Sequence, residues 1–100
     1  MVIWSEPAKE DLKKIFDYIA SDSRYYAIKV SHEFVEKSEQ LGKLPRVGRI
    51  VPEVENSNIR ELIIYSYRLI YEITPKRIVI LAIVHGKQDF PSAFDKTKKS

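Results

Sequence analysis

Val2-Ile3-Trp4 is a β-branched and aromatic run that predicts a short strand at the start of the chain. Ser5-Glu6-Pro7 reads as a helix start, because Pro is tolerated in the first turn and Ser or Glu can serve the free backbone amides. Ala8, Leu12, Ile15, Phe16 and Ile19 follow at helical spacing, with Lys9, Glu10, Lys13, Lys14 and Asp17 between them. That pattern turns one apolar stripe to a core and one charged face to water. Glu10 and Lys14 stand four apart in the favourable order for an ion pair. Ser21-Asp22-Ser23 breaks this helix and can cap a second, whose stripe is Ala27, Val30, Phe34 and Leu41 with Ser31 and Ser38 as small contacts. Gly42 is expected to end it in the left-handed conformation. The two segments predict a helical hairpin.

Leu44-Pro45-Arg46-Val47-Gly48-Arg49 reads as a connection, and Ile50-Val51 as a short strand stopped by Pro52. Residues 53–58 are polar and turn-rich. From Ile59 the pattern changes to Ile59–Ile64, Tyr67–Ile73 and Arg77–His85, all rich in Ile, Val, Leu and Tyr. Tyr65-Ser66 and Thr74-Pro75-Lys76 are connections too short for anything but antiparallel neighbours. Alternation puts Tyr67, Leu69, Tyr71 and Ile73 on one face of the middle strand and Arg68, Ile70 and Glu72 on the other. Ile78–Val84 is apolar on both faces and is expected to be central or covered on both sides. The expected fold class is α+β, with the N-terminal strand and helix hairpin packed on one face of a small antiparallel sheet. Residues 1–100 read as one domain, and residues 91–100 as a mobile tail.

Composition narrows the chemistry. A chain of 100 residues with 44% hydrophobic and 31% charged residues suits a single globular domain. No stretch approaches the roughly 18 apolar residues that cross a bilayer. The amino terminus lacks the cationic and apolar regions of a signal peptide, so a cytoplasmic location is expected. The absence of cysteine excludes disulfides, thiolate metal sites and cysteine nucleophiles, and it agrees with a reducing compartment. Charge is asymmetric. Residues 1–42 hold six Lys/Arg against eight Asp/Glu, whereas residues 43–100 hold eleven against six. A basic half of that kind suits either an anionic partner or a solvated surface.

Few residues are candidates for chemistry. His32 and His85 have no second ligand at zinc spacing, so no metal is expected, and His32 reads as a surface residue. No Gly-x-Ser-x-Gly motif and no phosphate loop occurs. The remaining set is Arg60, Arg68, His85 and Lys87 on or beside the late strands. Arginine inside an apolar strand must be paired or face a wet cleft. Arg68 therefore either pairs with Glu72 or Glu61, or binds phosphate together with Arg60 through the guanidinium fork. His85 is either a hydrogen-bonded strand-end residue or a proton carrier. Tyr65, Tyr67 and Tyr71 either stack on bases or belong to the core.

Several segments, in order, resemble the RelE/ParE toxins of type II toxin–antitoxin modules. They are Trp4 through Leu12, Ile15-Phe16-Asp17-Tyr18-Ile19, Pro45-Arg46-Val47-Gly48-Arg49, Ile59-Arg60-Glu61-Leu62, Tyr67 through Ile73, and Ile83 through Phe90. The resemblance implies a helix hairpin against a small antiparallel sheet. It also implies one of two activities: poisoning of DNA gyrase, as in ParE-like members, or metal-independent cutting of mRNA on the ribosome, as in RelE-like members. RelE-like nucleases carry basic residues on the strand before the tyrosine-arginine motif, an arginine in that motif, another after the glycine-lysine pair, and often a tail tyrosine. Here Arg60 and Arg68 match, but Leu62, Gln88 and Phe94 stand where further functional residues are expected. That depletion favours the gyrase activity. If the protein is an enzyme, the resemblance makes Arg68 and His85 catalytic, without a cofactor. In either case Arg49, Arg60, Arg68 and Lys87 are the expected phosphate or partner contacts. A cognate antitoxin is the implied partner, wrapping the toxin and supplying carboxylates to its basic half. A third reading is an inactive or non-catalytic binding module.

Overall fold

In the computed structural model, which describes residues 1–86, the element order is β1 (Val2–Trp4), α1 (Glu6–Ala20), α2 (Arg24–Gln40), β2 (Arg49–Ile50), β3 (Ile59–Ile64), β4 (Tyr67–Ile73) and β5 (Ile78–His85). Ser5 caps α1 by accepting from the Ala8 amide, and Ser23 caps α2 by accepting from the Tyr26 amide. Each serine thus satisfies one of the amides a helix start leaves free. Among the described residues no helix is long and apolar enough to cross a membrane.

The five strands form one sheet in the order β1-β5-β4-β3-β2. The meander β3-β4-β5 is antiparallel, as the short connections require. The sheet as a whole is mixed, because β1 lies parallel to β5, with Val2 opposite Ile78 and Trp4 opposite Ile80. The long crossover through the hairpin makes that parallel pairing possible. β2 comprises Arg49 and Ile50 rather than Ile50 and Val51, and pairs antiparallel with β3. Val51 leaves the ladder and is fully buried instead.

The hairpin covers one face of the sheet. Ala8, Ile15, Phe34 and Leu41 meet Ile64, Leu69, Tyr71, Ile78, Ile80 and Ile83 there. Phe34 packs edge-on to Tyr67, with ring centroids 5.8 Å apart. Full burial of a side chain of this size contributes about 1.5–3 kcal/mol. Ser38, buried on α2, accepts from the Trp4 indole at 3.1 Å and donates to the Val35 carbonyl at 2.7 Å. The opposite face is covered by the segment after β2, where Val51 and Val54 pack with Ile59 of β3 on Ile70, Leu81, Ala82 and Val84. β5 is therefore covered on both sides, and it lies inside the sheet between β1 and β4. A register shift between Ile70 and Tyr71 lets Ile80 and Ile83 point to the same face despite their odd spacing.

Two local expectations fail. Leu41, in right-handed conformation, is the C-cap of α2, and no described glycine has a positive φ. Successive turn bonds, Leu41 N–H to Ser38 and Gly42 N–H to Glu39, carry the chain out of the helix instead. Along α1 the ion pairs join Lys9 to Glu6 and Lys13 to Asp17, rather than Glu10 to Lys14.

Candidate functional site

The register brings two of the predicted cations together on the face away from the hairpin. Arg49 pairs with Glu61 across β2 and β3, and Arg68 of β4 lies opposite Ile63, two residues further along β3. Strand alternation puts the side chains of positions 49, 61 and 68 on that face. Arg68 Nε donates to Glu61 Oε1 at 2.7 Å, and Arg49 Nε donates to Glu61 Oε2. Glu53, in the segment after β2, receives two parallel bonds from Arg68: Nη1 to Oε2 at 2.9 Å and Nη2 to Oε1 at 2.7 Å. This is the bidentate match of guanidinium and carboxylate. Arg49, Glu61, Arg68 and Glu53 form a chain of alternating sign.

Burial grades along that chain. The Glu61 side chain is 0% exposed, that of Arg68 8%, and that of Arg49 64%. The hydrogen bonds to Glu53, reinforced by Glu61 and opposed by burial, hold the Arg68 guanidinium above its already high pKa. The same bonds hold the Glu53 carboxyl below its ordinary value of 4.5. A carboxylate lowered in the folded state contributes stability above its unfolded pKa and loses it as pH falls through the folded value. The Glu53–Arg68 link is therefore expected to stabilise fully above about pH 4.5 and to weaken progressively below it. Glu53→Gln should flatten the acid limb of a stability-versus-pH curve. A curve of unchanged slope below pH 4.5 would exclude that role for Glu53.

Arg60 belongs to a different structure. Its Nε donates to the Ser57 carbonyl at 2.9 Å, and its Nη1 donates to the carbonyls of Gly48 at 2.9 Å and Arg46 at 3.3 Å. Tyr71 completes this clamp from the core: its hydroxyl donates to the Pro45 carbonyl at 2.7 Å and accepts from the Gly48 amide at 3.0 Å. Burial pushes the Tyr71 hydroxyl pKa up, so it stays protonated and able to donate. Together they pin the backbone of residues 45–48.

His85 lies directly opposite Tyr67 on the hairpin face, its ring edge-on at 5.4 Å. Asp11, Lys14, Ile15, Tyr67, Ile83 and His85 line a hollow of about 290 Å³ there. Asp11 is already engaged, accepting from the Ile83 amide at 3.0 Å on the stretch of β5 that runs past the end of β1. Arg68 is opposite Val84, the neighbour of His85, and so projects from the other face of the sheet. The two residues expected to share catalysis have the sheet between them. Lys87, Gln88, Phe94 and the tail of residues 91–100 lie outside the described residues.

Of the two partners considered for Arg68, Glu61 is used. Glu53 was missed, because a lone acid in a polar turn carries no sign of the strand it will meet. Tyr71 is neither a base-stacking surface nor plain core. Its ring is core, and its hydroxyl is the anchor of a loop.

A two-helix hairpin laid across a five-stranded sheet, with a paired arginine on the sheet's other face, makes this a small α+β domain. The family described as the ParE toxin of type II toxin–antitoxin systems, parDE, matches residues 2–90, and the chain belongs to that family. Among solved structures it is similar to a chain of the chromosomal ParDE toxin–antitoxin system from P. aeruginosa. The two share 25% identity over 84% of this chain and 92% of that one, with a TM-score of 0.70. It is also similar to a chain of the toxin–antitoxin complex RelBE2 from Mycobacterium tuberculosis, at 26% identity over 85% and 95% of the two chains and a TM-score of 0.61. No curated protein sequence matches it.

Proposed function

We propose that this ParE-type toxin arrests growth by inhibiting DNA gyrase and is neutralised by a cognate antitoxin. One observation carries the choice of target. A nuclease that uses the 2′-hydroxyl of RNA needs a proton carrier and a cation converging on one phosphate. Here Arg68 is held by Glu53 and Glu61 on one face of the sheet, and His85 lies on the other. The surface that engages gyrase is the basic sheet side, where Arg49 is exposed, together with the carboxyl-terminal segment that includes Lys87. The activity needs no cofactor or metal and is exerted in the cytoplasm, where gyrase and DNA are. Both solved relatives come from toxin–antitoxin assemblies, which supports the antitoxin as partner.

A supercoiling assay with purified gyrase tests the proposal. The protein is expected to inhibit supercoiling and the co-purified antitoxin to restore it. Intact supercoiling beside cleaved mRNA in a translation extract would replace this reading with the ribosome-dependent endoribonuclease. No effect in either assay, with no growth arrest on expression, would favour the non-catalytic binding module.

A further inference from the structure

The two carboxylates that hold Arg68 are fixed to different degrees. Glu61 is excluded from solvent and locked in register on β3 between β2 and β4. The Glu53 side chain is 38% exposed and reaches Arg68 from a turn outside the sheet. That turn, residues 52–54, does not depend on Glu53 for its own place. Val51 before it is fully buried, Val54 packs beside Val51, and the amides of Val54 and Glu55 donate to the Val51 carbonyl. A change of the Glu53 rotamer is therefore enough to release the Arg68 fork, with the segment left where it is.

The released fork would stay aimed, because Arg68 Nε remains bonded to Glu61. Nη1 and Nη2, which now bind the two Glu53 oxygens, are the donors that match two oxygens of a phosphate equally well. A second guanidinium is close by. Arg49 and Arg68 hold the two oxygens of the same Glu61 carboxylate, and Arg49 uses only its Nε to do so. Ile63, opposite Arg68 and on the same face, is 58% exposed, so that side is open to a ligand. With Glu53 in place, two arginines meet two carboxylates and their charges cancel. With Glu53 turned away, one positive charge is left over, which one phosphodiester balances. A carboxylate would be used up by the planar fork of Arg68, whereas a tetrahedral phosphodiester also presents oxygens out of that plane to a second guanidinium.

We propose that Arg68 and Arg49 form a binding site for a backbone phosphate of DNA, and that Glu53 occupies this site in cis until the phosphate displaces it. The site rests on the gyrase reading above for the source of its DNA, and it gives Glu53 the role of a built-in competitor. Exchanging one bidentate oxyanion for another keeps the number of charge-assisted bonds, so the switch needs no unfolding. His85 lies on the other face of the sheet. The phosphate is therefore expected to be bound and not cleaved.

The test follows binding of a duplex oligonucleotide to the full-length protein by fluorescence anisotropy over a salt series. Glu53→Gln keeps the shape of the side chain and removes the competing charge. It is expected to bind about tenfold more tightly than wild type, as for a site otherwise open a tenth of the time. Its salt dependence should steepen by about 0.9, the value of one phosphate contact. Glu55→Gln makes the same charge change at an exposed neighbour and should stay within about twofold of wild type. Adding Arg49→Ala to Glu53→Gln should abolish the gain. Wild-type affinity in a folded Glu53→Gln protein would overturn the site. So would an equal gain from Glu55→Gln, or a gain that survives Arg49→Ala. A gain toward polyglutamate as large as that toward DNA would overturn the phosphate assignment in favour of an acidic protein. Should Glu53→Gln melt early, the wild-type protein decides: its Arg49 and Arg68 Nε–H resonances are expected to shift with saturating duplex, and unmoved resonances would overturn the site. Intact supercoiling with the wild-type protein would instead overturn the gyrase reading, which the DNA titration does not touch.

Discussion

Glu61→Ala is expected to cost about 3–5 kcal/mol of folding stability, the range for removing one partner of a buried ion pair. Both carboxylate oxygens of Glu61 are occupied, one by Arg68 and one by Arg49, and its side chain is wholly excluded from solvent. Alanine would take from the buried Arg68 guanidinium its fully buried carboxylate and leave a void beside it. Urea denaturation should show a lower midpoint at an unchanged slope. Replacing both buried charges, as Arg68→Met with Glu61→Leu, should recover much of the loss, because a well-packed apolar pair avoids desolvating either ion. A Glu61→Ala protein within about 0.5 kcal/mol of wild type would mean that the pair contributes nothing measurable. This expectation also changes how Arg68→Ala is read. Lost toxicity in that variant would report lost folding as readily as a lost phosphate contact, so the exposed Arg49 is the cleaner position for testing target contact.

Gly48→Ala is expected to be the second most damaging change, at about 2–4 kcal/mol from overpacking plus a broken buried hydrogen bond. A Cβ there would stand 2.5 Å from the Glu61 carbonyl oxygen and 2.6 Å from the Tyr71 hydroxyl. The first is β3 backbone, held in register with β2 and β4, and has no room to retreat. The demand is for space and not for an unusual dihedral, since the φ of Gly48 is not positive. Shifting the loop would also break the Gly48–Tyr71 bond. Thermal unfolding reads the combined effect as a lowered midpoint. A variant with the wild-type midpoint would show that the loop moves freely.

Much of the architecture was legible in local pattern. The caps at Ser5 and Ser23, the apolar stripes of both helices and the bounds of β3 and β4 all follow from spacing and side-chain type. The candidate site was legible only in part. Arg68 announced itself as an arginine in an apolar strand, and Glu61 was a foreseeable partner. Glu53, fifteen residues from Arg68, was not. The facing of His85 needed the register and the placement of the hairpin.

The order of helices and strands, the antiparallel meander and the double-sided burial of β5 were determined by the chain's own periodicity, because those properties arise between residues close in sequence. Tertiary structure alone decided the parallel pairing of β1, the bulge that keeps Ile80 and Ile83 on one face, and the two carboxylates that claim Arg68. Each depends on contacts between segments far apart in the chain, whose distance and direction are set only when the sheet closes. The same holds for Arg60. One cation among many in sequence, it becomes the clamp of a loop once β2 brings Gly48 beside it.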